Sequence, residues 1–304
     1  MEERVDASAV IAVDIGGTTT RFGFVLPEGV LAAPWTLIAS TQFSTEQGYA
    51  AQMTRLGGVV EGLARSTRRR NGDILGVGVS LGGRIAADGA SVAVAPNLRD
   101  YEGRPFVHDL MERCGGLPVR LAHDAACGLL AEWRLGALVG ARRGAYLTLS
   151  TGTGCAIHLE SPAGVGVNSS IELGHQLLDG NQRVCLCGQV GCLETYTGGR
   201  QLALRYGQPI ETLPPETWAE LAAALVEKLS VGLVNLAQLT RVERVAVGGA
   251  IAQHHLELLP ALQAGVRVRL HGASLDVVAA HRPANAPLVG AALLLTTPEG
   301  EVIH

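Results

Sequence analysis

Three cysteines and a histidine lie close together in one short segment. Of six cysteines in the chain, Cys185, Cys187 and Cys192 fall within eight residues, and His175 lies ten residues before the first of them. Three thiolates and one imidazole make up the ligand number of a closed tetrahedral zinc site. A redox pair is more typically spaced Cys-x-x-Cys, whereas this pair is spaced Cys-x-Cys, and glycines between cysteines suit core thiols poorly. The segment therefore predicts structural zinc rather than a redox device or ordinary buried thiols.

Two glutamates flank this segment. Glu172 lies three residues before His175, and Glu194 lies two residues after Cys192. A metal held by His175 and Cys192 would also fix both carboxylates, and fixed carboxylates can accept hydrogen bonds from several sugar hydroxyls. Taken singly, either glutamate is more commonly a solvated surface charge.

Two glycine turns follow apolar strands, DIGGTTTRFGF at residues 14–24 and STGTG at residues 150–154. Consecutive backbone N–H groups in such turns can cradle phosphate oxygens, and Asp14 at the strand end can hold Mg²⁺ through water. Neither turn is a Walker loop, because no Gly-Lys-Ser/Thr follows. A simple Gly-Gly hairpin is the alternative for the first turn, but the pair predicts binding of a nucleoside triphosphate.

Asp124 is the candidate catalytic carboxylate. It stands at the end of a predicted strand and at the start of a predicted helix. Phosphoryl transfer to a hydroxyl requires positioning, charge neutralisation and a carboxylate near the acceptor. A helix N-cap, which stabilises a helix by about 1 kcal/mol, explains an aspartate at this position equally well.

The pattern strand, glycine turn, strand occurs twice, at 9–26 and 144–159. Strands alternating with helices predict an α/β architecture with mixed sheets, and two similar halves predict two lobes with a cleft between them. We expect one lobe at 1–122 with a C-terminal helix at 287–304, and a second lobe with the zinc segment at 123–286. The other predicted strands cover 33–40, 74–80, 117–122, 243–247 and 275–279, and the predicted helices cover Met53–Leu63, 105–114, 124–135, 217–239 with a mild interruption at Gly232, and 286–296.

Composition excludes several classes of protein. The 304 residues are 47% hydrophobic and 17% charged, with a net charge of −4, so general affinity for nucleic acid or anionic membrane is not expected. The N-terminus lacks the features of a signal peptide, and no apolar stretch reaches about 18 residues. We therefore expect a cytoplasmic protein, with Cys114, Cys127 and Cys155 buried and inert.

Three segments together resemble one known family. DIGGTTTR, ELGH and CLCGQVGCLETYTGG are similar to the ROK family of sugar kinases and sugar-responsive repressors, and APNL (95–98) and LVGAALL (288–294) add to the resemblance. It runs from about residue 10 to 295. It implies a two-lobed α/β actin/hexokinase-like ATPase fold, related to ribonuclease H, with a structural zinc site.

The resemblance also implies roles for matching residues. Asp124 would take the proton from the 6-hydroxyl of the sugar, and Arg84 lies in a segment similar to that of the family's N-acetylmannosamine kinases. The residues implied to bind sugar are Gly83, Arg84, Asn97, His123, Asp124, Glu172, His175 and Glu194. Those implied to bind ATP with Mg²⁺ are Asp14, Gly16, Gly17, Thr18, Thr151, Gly152, Thr153, Gly154, Gly248 and Gly249. Those implied to bind zinc are His175, Cys185, Cys187 and Cys192.

Three positions depart from the family pattern. His123 stands where the family has asparagine, and its larger side chain would reshape the pocket. Residues 156–158, Ala-Ile-His, replace three glycines, so we expect a loss of close backbone approach to a ligand there. Ala250 replaces a third glycine of the nucleotide turn, which is a mild change.

The leading hypothesis is an ATP-dependent kinase for glucose or an N-acetylated hexosamine such as N-acetylmannosamine, acting as a homodimer. A ROK transcriptional regulator is an alternative, but about nine residues precede the first strand, so no DNA-binding module is expected. A weakly catalytic sugar sensor is motivated by the departures at His123 and 156–158. A redox protein built on Cys185 and Cys187 is the remaining alternative.

Overall fold

The structure is a computed structural model. It divides into two compact units, which we call unit 1 (Met1–Cys127 and Pro287–His304) and unit 2 (Gly128–Ala286). The residues that the structure describes are 9–26, 36–68, 73–160, 166–282, 284–298 and 302–303.

Strands and helices are interspersed along the whole described chain. The strands are β1 (Ala9–Ile15), β2 (Thr19–Leu26), β3 (Thr36–Ser44), β4 (Ile74–Leu81), β5 (Arg84–Ile85), β6 (Val92–Val94), β7 (Val119–His123), β8 (Arg143–Leu149), β9 (Thr153–Glu160), β10 (Gly166–Ile171), β11 (Arg244–Gly248), β12 (Asp276–Ala279) and β13 (Val302–Ile303). The helices are α1 (Tyr49–Arg68), α2 (Phe106–Arg113), α3 (Asp124–Leu135), α4 (Glu194–Thr197), α5 (Gly199–Tyr206), α6 (Pro215–Thr240), α7 (Ala250–His254), α8 (Leu258–Arg269) and α9 (Ala286–Leu293).

Each unit contains a mixed sheet of the same topology. In unit 1 the order is β3-β2-β1-β4-β7, and in unit 2 the corresponding order is β10-β9-β8-β11-β12. The first three strands of each series are antiparallel neighbours, and the last three are parallel neighbours. The prediction of mixed sheets and of a repeated strand–turn–strand unit is therefore confirmed.

The parallel part of the unit 1 sheet is covered on both faces. Apolar side chains of α1 and α2 join those of β1 and β4 in one buried cluster. From the other face, α9 comes so close to β4 that a Cβ atom added at Gly78 would overlap the carbonyl group of Ala291. Strands buried on both faces carry nearly continuous apolar runs, as the segment ILGVGVSL of β4 does.

In unit 2 the long helix α6 packs its apolar face into a cluster with β8, β11 and α8. The sequence predicted a mild interruption at Gly232, but α6 runs unbroken from Pro215 to Thr240. A Cβ atom added at Gly232 would lie 2.8 Å from Leu193 Cδ2. Close packing against the segment that precedes α4, rather than a break in the helix, therefore accounts for this glycine.

Most predicted elements are found within one to three residues of their expected bounds. The predicted strand at 33–40 is observed as Thr36–Ser44, and residues 33–35 lie outside the described residues. Strand β10 and helix α5 were not predicted. Among the described helices, none combines the length and the apolar character needed to cross a membrane.

Gly78→Ala tests the close packing of α9 on β4. Because the new methyl group would overlap Ala291, we expect the free energy of unfolding to fall by about 1–3 kcal/mol, the usual effect of overpacking. Gly58→Ala, in an open and exposed position of α1, is the matched control, and we expect it to stabilise by about 0.5–1 kcal/mol. Urea unfolding followed by circular dichroism measures both; equal effects would contradict the packing described.

Candidate active site

The parallel strands of unit 1 bring polar side chains to one edge of the sheet. Asp14 on β1 lies directly beside Ser80 on β4, and its Oδ1 accepts a hydrogen bond from Ser80 Oγ at 2.7 Å. Its Oδ2 accepts from Arg21 Nη2 at 2.6 Å, because β2 places Arg21 opposite Asp14. The carboxylate is 13% exposed. Asp14 is therefore fixed in position and its charge is partly compensated by an arginine.

The turn after β1 is held through its carbonyl groups. Thr45 Oγ1 donates to Gly16 O at 2.8 Å, and Thr45 N donates to Thr18 O at 2.9 Å. A Cβ atom added at Gly17 would lie 2.8 Å from Asn97 Cβ, so the turn and Asn97 are in close contact. Because the carbonyl groups are bound in this way, the turn keeps a fixed shape, and backbone N–H groups are the atoms that bind phosphate in such turns.

Asp124 is the first residue of α3 and follows β7 directly. Its Oδ1 accepts from Ala125 N at 2.6 Å and lies 3.2 Å from His123 Nδ1. Ala125 N also lies 3.2 Å from His123 Nδ1. A Cβ atom added at Gly82, after β4, would lie 3.7 Å from Asp124 Oδ2. The side chain is 34% exposed, so the carboxylate is positioned by its neighbours and is also accessible.

The other predicted sugar-binding residues of unit 1 have different surroundings. A Cβ atom at Gly83 would lie 2.7 Å from Val94 O, so this glycine allows the approach of β6. Arg84 is exposed on β5. Asn97 is half-buried against the turn at Gly17.

In unit 2 the four predicted metal ligands come together. The ligand atoms of His175, Cys185, Cys187 and Cys192 all lie within 4.8 Å of one another. Cys187 Sγ is 3.7 Å from Cys192 Sγ, and Cys185 Sγ is 3.8 Å from His175 Nδ1. Zinc–sulfur bonds of about 2.3 Å at tetrahedral angles separate ligand atoms by roughly 3.8 Å. These side chains therefore fit a tetrahedral zinc ion, and the sulfur atoms are too far apart for a disulfide.

Two glycines shape the metal-binding segment. Gly188 and Gly191 both have φ of 96°, a conformation that disfavours other residues. Burial raises the pKa of the Cys192 thiol to about 12. Partial burial also acts on Cys187, but hydrogen bonds to its sulfur, beginning with that from the backbone of Gln189, outweigh burial and hold its pKa below the ordinary value.

The metal-binding segment contacts the second glycine turn. Thr153 N donates to Glu194 Oε2 at 2.7 Å, and a Cβ atom added at Gly152 would lie 2.8 Å from the same oxygen. Two helix residues bind the turn as well: Gly199 N donates to Ser150 O at 2.8 Å, and Arg200 N donates to Thr151 O at 2.9 Å. The turn at 150–154 is thus held by residues that follow Cys192 in the chain.

The remaining glutamate lies beside the histidine ligand. Glu172 Oε2 is 4.0 Å from His175 Nε2, while Nδ1 of the same ring faces Cys185. Glu172 is 59% exposed, so its carboxylate can bind a solute. The imidazole therefore joins the metal cluster to a carboxylate.

The glycines after β11 approach the same part of unit 2. Gly249 has φ of 89°, and a Cβ atom there would overlap Leu149 O at the end of β8. A Cβ atom at Gly248 would lie 2.7 Å from Tyr146 Oη. The structure brings the two predicted nucleotide turns of unit 2 together at the end of β8.

The residues that replace the family's glycines turn into the interior. Ala156 and Ile157 are buried on β9, and His158 is 1% exposed. The His158 ring stacks on Trp133 with centroids 3.9 Å apart, and its Nδ1 lies 2.9 Å from Asn168 Oδ1. These larger side chains are therefore accommodated in the interior of unit 2.

Some contacts of the site were not predicted. Arg21 and Ser80 pair with Asp14 through strand register, and Gln201 Nε2 donates to Cys185 Sγ at 3.1 Å. The pairing of Arg21 with Asp14 could have been proposed from the strand register of the predicted hairpin at 9–26. Nothing in the sequence marks Gln201, nine residues after Cys192, as a partner of a cysteine. The remaining cysteines, Cys114, Cys127 and Cys155, are buried, as predicted.

Comparison with known proteins identifies one family. The ROK family model matches residues 10–297. The chain is 28% identical to a glucokinase of Streptomyces coelicolor, over 95% of this chain and 98% of that protein. It is 28% identical to an N-acetylmannosamine kinase of Vibrio vulnificus, over 81% and 84%. A crystal structure of a ROK family glucokinase from Streptomyces griseus in complex with glucose and AMPPNP is similar with a TM-score of 0.75, at 26% identity, over 94% of this chain and 99% of that chain.

Alkylation of cysteines tests the metal-binding cluster. With iodoacetamide at about pH 8, we expect the chelator-treated protein to be modified first at Cys187, whose pKa is lowered and whose side chain is exposed. Zinc should protect Cys187, Cys185 and Cys192 together. Cys155, whose pKa burial raises to about 12, is the control and should stay unmodified in both samples. Mass spectrometry measures this; Cys187 labelling that is indifferent to zinc would contradict the site.

Proposed function

Because the chain belongs to the ROK family, we propose that it is an ATP-dependent kinase for the 6-hydroxyl of a hexose or N-acetylhexosamine. Relatives named glucokinase and N-acetylmannosamine kinase, each 28% identical, support glucose or N-acetylmannosamine as the substrate. The glucokinase crystallised with glucose and AMPPNP supports ATP as the donor.

The observation that carries this proposal is the arrangement at the edge of the unit 1 sheet. Asp14 and Asp124 stand at the carboxyl ends of β1 and β7, which flank β4 in the same parallel group. The first glycine turn follows β1 at this edge. A partly exposed carboxylate on the same sheet edge as a phosphate-binding turn is the arrangement that phosphoryl transfer to a hydroxyl requires.

The chemistry assigned to Asp124 is that of a general base. Its carboxylate would accept the proton of the sugar hydroxyl as the hydroxyl oxygen bonds to the γ-phosphorus, and the bond from that phosphorus to the ADP oxygen breaks. Ala125 N donates to the carboxylate at Oδ1. We assign the Asp124 carboxylate, whose Oδ2 lies nearest to Gly82, to the substrate hydroxyl.

The phosphates of ATP would be bound by the glycine turns. In unit 1 we assign to this role the N–H groups of residues 17 and 18, and in unit 2 those of residues 151, 152 and 154, because Gly16 N already donates to Thr19 O and Thr153 N to Glu194 Oε2. The turn at Gly248-Gly249 would lie under the nucleoside. Asp14 would hold Mg²⁺ through water, which neutralises charge on the transferred phosphoryl group. Because Arg21 already binds Asp14 Oδ2, its guanidinium is a second cation beside this position.

In unit 2 the residues proposed for sugar binding are two carboxylates and a histidine. The carboxylates of Glu172 and Glu194 would accept hydrogen bonds from sugar hydroxyls, and His175 would donate one from Nε2. His175, Cys185, Cys187 and Cys192 would hold a structural zinc ion, which fixes these carboxylates in place. In unit 1 the same role is assigned to Gly83, Arg84, Asn97 and His123.

Asp124→Asn tests the proposed function. We expect turnover of Mg-ATP with the preferred sugar to fall by about 10²–10⁴-fold, the usual contribution of a general base, with little change in sugar binding. Asp88→Asn, an exposed turn aspartate of unit 1, is the matched control and should retain activity. The measurement is ADP release with each of five sugars as acceptor: glucose, mannose, fructose, N-acetylglucosamine and N-acetylmannosamine.

Sugar binding without turnover distinguishes the alternative. If the wild-type, zinc-loaded protein binds one of these sugars in calorimetry but releases no ADP with any of them, the kinase proposal is wrong. The chain would then be a sugar sensor.

A further inference from the structure

Helix α5 contacts both the metal-binding cluster and the second glycine turn. Gln201 Nε2 donates to Cys185 Sγ at 3.1 Å. Two residues earlier, Gly199 N donates to Ser150 O, and Arg200 N donates to Thr151 O. Three consecutive residues of one helix turn therefore join a thiolate ligand to the turn at 150–154.

Gln201 differs from the other amide near the cysteines. Gln189 Nε2 lies 3.7 Å from both Cys187 Sγ and Cys192 Sγ, and Gln189 is exposed. Cys185, which Gln201 contacts, is only 3% exposed. Gln189 also contacts a buried cysteine, Cys192, but the bond from Gln201 is shorter and comes from a half-buried side chain. It therefore stabilises a thiolate more than the long contacts of the exposed Gln189 do, because less water competes with it.

We propose that Gln201 is a positioning residue that couples zinc binding to nucleotide binding, and this proposal rests on the function proposed above. With zinc bound, Cys185 is a thiolate and its hydrogen bond from Gln201 is strongest. That bond fixes the start of α5. The N–H groups of Gly199 and Arg200 at the start of α5 then fix the carbonyl groups of Ser150 and Thr151. Without the metal, the hydrogen bond from Gln201 to Cys185 is weaker, and the turn at 150–154 is fixed less firmly.

The coupling has a thermodynamic consequence that can be measured in both directions. If zinc tightens nucleotide binding by some factor, the nucleotide tightens zinc binding by the same factor. The turn is also held by the hydrogen bond from Thr153 N to Glu194. Glu194 lies two residues after Cys192, one of the proposed zinc ligands. Gln201 acts from α5, whereas Glu194 lies on α4.

Gln201→Leu tests the contact with the metal-binding cluster. We expect zinc release to a colorimetric chelator to become about 10-fold faster, because loss of a hydrogen bond to a metal ligand commonly weakens metal binding 10–100-fold. Gln189→Leu makes the same substitution beside the same cluster and should leave the rate within about 2-fold. Equal rates in the two variants would overturn the role of Gln201. This measurement uses resting protein and does not depend on kinase activity.

ADP binding tests the coupling itself. In the wild type we expect ADP to slow zinc release, and chelator treatment to weaken ADP binding measured by calorimetry. In Gln201→Leu both effects should shrink, while circular dichroism and the thermal midpoint of the zinc-loaded protein stay close to the wild type. ADP binding that is indifferent to zinc in the wild type would overturn the coupling. A wild type that binds neither ADP nor ATP would overturn the proposed function as well.

Discussion

The hydrogen bond from Thr153 N to the Glu194 carboxylate is the contact on which the candidate site of unit 2 depends. It joins the turn at the start of β9 to the first residue of α4. Because Glu194 follows Cys192 by two residues, the position of this carboxylate is set by the packing of the cysteine segment. The glycines at 152 and 198 leave room for it, since a Cβ atom at either would crowd its side chain. One carboxylate thus relates the metal-binding segment to the nucleotide turn.

Much of the fold was predictable because its determinants are local. The run that ends at Asp14, the change from strand to helix at Asp124 and the cysteine spacing are all features of neighbouring residues. Helix α3, for example, was expected at 124–135 and lies at Asp124–Leu135. The same locality explains why the family resemblance could be recognised from three short segments, and the family match confirms it.

The contacts that were missed depend on distant parts of the chain. The pairing of Asp14 with Ser80 spans 66 residues and requires the parallel register of β1 and β4. The close approach of Gly232 to Leu193 depends on how α6 packs in unit 2. We interpreted His158 by comparison with the glycine expected at its position. Its burial, however, depends on Trp133, which lies on another element, α3. Sequence patterns identified the elements, and tertiary packing decided which partners each side chain has.

The two sheets share one topology but carry different side chains at the ends of corresponding strands. Strand β4 in the first sheet corresponds to β11 in the second. Both have a glycine pair at the carboxyl end: Gly82-Gly83 follows β4, and Gly248-Gly249 begins with the last residue of β11. The strands that neighbour them differ: β7 leads into the acidic residue Asp124, whereas β12 ends at Ala279. The two sheets therefore share strand order and direction, while the proposed catalytic carboxylate is present in one of them. The side chains of the second sheet can therefore differ from those of the first, as the buried residues of β9 do, as long as the backbone of the sheet keeps its shape.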